Sequence, residues 1–68
     1  MSEYGINLLN ERALLQGRIN KLEKEIDEHY KTDPHDTSDL TILRYTQLGH
    51  MMKYKETLDK RIKLLKLE

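Results

Sequence analysis

Thr32-Asp33-Pro34-His35-Asp36-Thr37-Ser38 lies near the middle of the chain, between two stretches of nearly equal length. Pro34 is the only proline among 68 residues. Its ring disfavours helical geometry at Asp33, and it has no N–H to give to a helix ladder. Behind it, Asp36, Thr37 and Ser38 all carry side-chain oxygens of the kind that caps a helix N-terminus. The stretch therefore closes one helix and opens another. It predicts helix over about 6–31, a turn over about 32–37 and helix over about 38–67. The fold class that follows is all-α: an antiparallel, coiled-coil-like two-helix hairpin, one domain over 1–68, associating into a four-helix bundle or a larger helical oligomer.

Outward from the turn, each arm carries a helical stripe. Leu8, Leu15, Ile19, Leu22 and Ile26 follow a three-four spacing on the first arm, with Arg12 and His29 at the remaining seam positions. Leu48, Met51, Leu58, Ile62 and Leu65 do so on the second, with Thr41, Arg44 and Lys55 as polar members of the same heptad. Ser2 or Asn7 is suited to cap the first helix, and Asp39 suits the positive end of the second. Lys60, Arg61, Lys63 and Lys66 suit the negative end. Folding the chain near position 33 sets residues whose numbers sum to about 66 at one level. Leu8 then faces Leu58, Leu15 faces Met51, Ile19 faces Leu48 and Ile26 faces Leu40. The agreement of four apolar levels supports the hairpin, because the helix assignments did not build it in.

One hairpin does not absorb all the apolar surface. Ile6, Leu9, Ala13 and Leu14 widen the first arm's stripe, and Ile42, Leu43, Tyr45, Met52 and Tyr54 widen the second. Helices apolar over so much of their circumference are usually covered on more than one side. Two helices alone rarely stabilise so short a chain, and no cysteine is present to staple it. Self-association is the simplest remedy. Gly17 and Gly49 fall at one level off the seam, where close approach across an oligomer interface would offset the roughly 1 kcal/mol that a helical glycine costs. The candidate interface is thus Ile6, Leu9, Ala13, Leu14, Gly17, Tyr45, Gly49 and Met52.

Charge narrows the function. Twelve Lys/Arg balance twelve Asp/Glu, which argues against a dedicated nucleic-acid binder. The basic segment from Lys53 to Lys66 is explained by dipole complementarity and by interleaved Glu56 and Asp59. No run is apolar enough to span a membrane and no signal-peptide core is seen, so cytoplasmic residence is the default expectation. Arg12 and Lys55 share a seam level, with Glu11 and Glu56 adjacent to compensate them. With Arg44 they form the candidate anion-binding set, fit for a phosphate, a nucleotide or an acidic side chain. His29, His35 and His50 lack metal-binding spacing, and Asp33, His35 and Asp36 in an exposed turn are ordinarily solvated. His50 and Tyr54 are four apart and are read as a packing pair. No phosphate loop, nucleophile setting, cofactor motif or metal motif occurs, and an enzyme is not expected. The leading expectation is a small non-enzymatic regulatory protein that self-associates and binds another protein through its helical faces. Binding of an anion, nucleotide or nucleic acid through Arg12, Arg44 and Lys55 is the alternative, and a structural assembly subunit is the third.

Overall fold

A computed structural model describes residues 3–67. Two helices, α1 (Glu3–Thr32) and α2 (Asp39–Leu64), pack against each other in a rod of 47 × 15 × 14 Å. Thirty helical residues at ~1.5 Å each account for the length, so the molecule is one helix long and two helices thick. Helix α1 is already formed at Glu3, and Gly5 lies buried inside its first turns. Asn7 is therefore interior to the helix and not its cap, while Ser2 lies outside the described residues. No helix among the described residues is long and apolar enough to cross a membrane.

The start of α2 obeys local chemistry. Ser38 is the N-cap, in extended backbone, and its Oγ accepts from the Thr41 N–H at 3.4 Å. Its end departs from the sequence expectation. The helix stops at Leu64, and Lys66 turns left-handed at φ 56°. The Lys66 N–H then donates to the Lys63 carbonyl and the Leu67 N–H to the Ile62 carbonyl, both at 3.1 Å. This paired closure usually recruits glycine, because a side chain is strained at positive φ. It swings Leu67 back onto the core, whereas Leu65 stays 48 % exposed. The last seam position is filled by Leu67, and Leu65 is outside the seam. Lys66→Gly is expected to relieve the strain and raise stability by about 1 kcal/mol in urea unfolding. A loss on that substitution would contradict the closure.

Leu8, Leu15, Ile19, Leu58 and Ile62 form the buried cluster, with Leu9, Leu48, Met51 and Leu67 packed against it. Leu22 is buried further along. Three of the four expected levels thus contribute to one core. The fourth does not close: Ile26 is half-buried but Leu40 is 59 % exposed. Half-buried His29, Thr41 and Arg44 occupy the interhelical space there. The core fills the open end and middle of the hairpin and gives way to polar residues near the turn.

Candidate ligand site at the turn

Because Pro34 prevents a continuous helix, the chain between Thr32 and Asp39 must find its hydrogen bonds elsewhere. The Asp33 N–H donates to the His29 carbonyl at 2.8 Å and the Asp36 N–H to the Asp33 carbonyl at 3.3 Å. Asp36 then ties everything together. Its Oδ1 accepts from the Ser38 N–H at 2.8 Å. Its Oδ2 accepts from the hydroxyls of Thr41 at 2.8 Å and Ser38 at 3.1 Å, and lies 2.6 Å from Nε2 of His29. One carboxylate thereby joins α1, the turn and α2. His29 above all, then the Ser38 N–H and Thr41, holds its carboxyl well below the ordinary value of 3.8.

Beside this knot lies a cavity of about 110 Å³, walled by Ile26, Tyr30 and Tyr45 and rimmed by His29, Asp33, Pro34, Asp36, Thr41 and Arg44. Ile26, Tyr30 and Tyr45 continue into an adjoining groove with Glu23, Lys24, Asp27 and Leu48. The cavity is smaller than the ~300–1,000 Å³ of a pocket for a whole small molecule. It has room for one small group, such as a phosphate, and the adjoining groove shares Ile26, Tyr30 and Tyr45 with it.

Arg44 lines both this cavity and the groove it shares with Arg18, Lys21 and Met51. Its Nη1 is buried and has no hydrogen-bond partner. A guanidinium is always charged and carries five donors in a planar fork. Leaving one such donor buried and unmet costs roughly 1–3 kcal/mol or more, which an anionic acceptor recovers. Tyr30 and Tyr45, both about half exposed, line the same cavity.

The same residues fall within a recognised family. The chain matches the Sequestin family over residues 2–64. It belongs to that family. No curated protein and no solved structure matches it.

In this Sequestin-family hairpin, the three cations of the candidate anion set do not converge. Arg12 and Lys55 meet over Asp59, at 3.5 and 3.6 Å, in a groove shared with Leu9 and Ala13. Asp59 is an acid between them. It pairs with Lys55 along its own helix and with Arg12 across the hairpin. Glu56 pairs with Lys60 at 3.2 Å and Lys53 at 3.8 Å, which hold it below its ordinary pKa. Arg44 stands apart at the turn. Its neighbours His29, Tyr30, Asp36 and Tyr45 were not singled out together, although the fold about position 33 sets His29 level with Asp36. At the open end Arg61 donates to the Tyr4 hydroxyl and lies over the ring, 5.8 Å from its centre.

Of the candidate interface, Leu9 is drawn partly onto the core. Ile6, Ala13, Leu14, Tyr45 and Met52 are exposed. Gly17 and Gly49 are also exposed, and a Cβ on either would meet open space, so their close approach is not made within one hairpin. His50 and Tyr54 are both exposed and share no ring contact or hydrogen bond. Among the described residues no three His, Asp or Glu side chains group closely enough to hold a metal ion.

Proposed function

We propose that this chain is a non-enzymatic sequestering protein, a self-associating helical hairpin that binds a target and withholds it. The target favoured by the turn is a small anionic molecule bearing a flat ring, of the nucleoside phosphate class. The observation that carries this reading is the buried, unpartnered Nη1 of Arg44 at a cavity walled by Tyr30 and Tyr45. The family's name speaks of sequestering, which is binding. The test is calorimetric titration with nucleoside monophosphates, inorganic phosphate and free nucleosides, on the parent protein and on Arg44→Gln. Saturable binding of the phosphate-bearing compounds, with the ligand recovered intact and affinity lost in the variant, is the expected result.

A second reading, that the target is another protein, draws on the exposed apolar side chains. Ile42, Leu43, Tyr45 and Met52 are all more than half exposed on α2. A helix-in-groove contact would use such residues. Self-association is supported by the same surface. The chain exposes 5440 Å², against about 4,500 Å² for a compact monomer of its 8.1 kDa mass. That excess lies on a scaffold whose core is a single seam, which makes burial against another copy the natural source of further stability.

A further inference from the structure

A second groove, of about 390 Å³, lies between the helices and is lined in part by Arg18, Lys21 and Arg44. Lys21 and Tyr30 are nine residues apart on α1 and point in nearly opposite directions. This groove and the tyrosine-walled cavity therefore open on different sides of the hairpin, and Arg44 lines both. The groove sets its three cations around one acid, Glu25. None of the three has an ion pair among the described residues, and Nη1 of Arg44 is buried without a hydrogen-bond partner. Elsewhere the cations are matched: Lys24, Lys31 and Lys60 each meet a carboxylate on their own helix, and Arg12 and Lys55 share Asp59. Glu25 follows Lys21 at the four-residue spacing of a helical pair, yet the two form no ion pair.

Three cations against one acid leave two positive charges unmatched in a confined space, where like charges repel. An anion carrying two or more charges offsets that repulsion. The volume falls within the ~300–1,000 Å³ of small-molecule sites. Among the described residues no aromatic side chain lines the groove, so nothing in it selects a ring. We propose that this groove is an anion site in its own right, for a small phosphate compound bearing at least two negative charges. Arg18 and Arg44 donate N–H groups to the phosphoryl oxygens and Lys21 adds a point charge. The site shares Arg44 with the proposed function and needs neither tyrosine.

Titration calorimetry with inorganic pyrophosphate, which has no ring, tests the groove. The variants are Arg18→Gln/Lys21→Gln, Lys63→Gln/Lys66→Gln, Glu25→Gln and Tyr45→Ala, with circular dichroism to confirm that each is folded. Arg18, Lys21 and Glu25 are exposed, so helix content should persist. The parent protein should bind pyrophosphate saturably, and Arg18→Gln/Lys21→Gln about tenfold or more weakly, the loss of a charge-assisted contact. Lys63→Gln/Lys66→Gln removes the same charge at the far end of α2 and should bind like the parent. Glu25→Gln, freed of the one acid, should bind more tightly. Tyr45→Ala should weaken nucleoside monophosphate binding and leave pyrophosphate binding unchanged. No pyrophosphate binding, equal loss in the two double variants, or loss in Tyr45→Ala would overturn the groove site. Binding of pyrophosphate but of no nucleoside monophosphate would support the groove and overturn the ring-bearing ligand instead.

Discussion

Leu58→Ala is expected to remove most of the stability of the hairpin. Leu58 is 0 % exposed and belongs to the cluster of Leu8, Leu15, Ile19 and Ile62 that holds the helices together. Truncating a buried leucine loses its transfer free energy and leaves a cavity, typically about 2–5 kcal/mol in total. A chain of this length has roughly 3–10 kcal/mol to lose at ~0.05–0.15 kcal/mol per residue. The helices are too polar on their outer faces to persist well alone, so far-ultraviolet circular dichroism should fall along with the melting temperature. Leu64→Ala is the control. Leu64 is 82 % exposed on the same helix and should shift stability by no more than about 0.5 kcal/mol. Equal effects at the two positions would contradict the core described.

Asp36→Asn is expected to be the most damaging change in the turn, and its effect should depend on pH. The substitution keeps the size of the side chain but removes the charge that His29, Ser38 and Thr41 converge on. The knot ties α1 to α2 and supports the cap of α2, so its loss should lower the melting temperature more than Ser38→Ala does. Losing a cap alone costs about 1 kcal/mol. The sign with pH follows from the carboxyl being held below its ordinary value in the folded chain. A depressed carboxyl contributes stability above its unfolded pKa, near 3.9, and loses it as pH falls toward the folded value. The gap between parent and variant should be wide at neutral pH and narrow progressively below about pH 4. A gap independent of pH would mean that the charge of Asp36 is not what joins the helices.

The turn was legible because its chemistry is local. Pro34 breaks the ladder by its ring and Ser38 caps by its own hydroxyl, whatever the rest of the chain does. The register was legible at Leu8, Leu15 and Ile19 because three-four spacing and folding at one point agree there. The closure at Lys66 was not, since no glycine or asparagine marks the left-handed residue. Asp59 read only as an acid interleaved in the basic segment, and the structure draws it to Arg12 across the hairpin. The site was half legible. Arg44 stood out as a cation in an apolar seam, but Tyr45 read as part of an oligomer interface and Tyr30 gave no signal of its own. What makes them a pocket is the polar turn end, where Leu40 turns outward and leaves Ile26 uncovered.

If the cavity beside Arg44 captures an anionic, ring-bearing molecule, a nucleoside monophosphate should bind there. Titration calorimetry with a nucleoside monophosphate, run in parallel on the parent protein and a folded Arg44→Gln variant, tests it most directly. Binding to the parent protein should be saturable and at least tenfold weaker in the variant, with inorganic phosphate binding weakly and the ligand recovered unchanged. No binding to the parent protein, or equal binding to both, would contradict it.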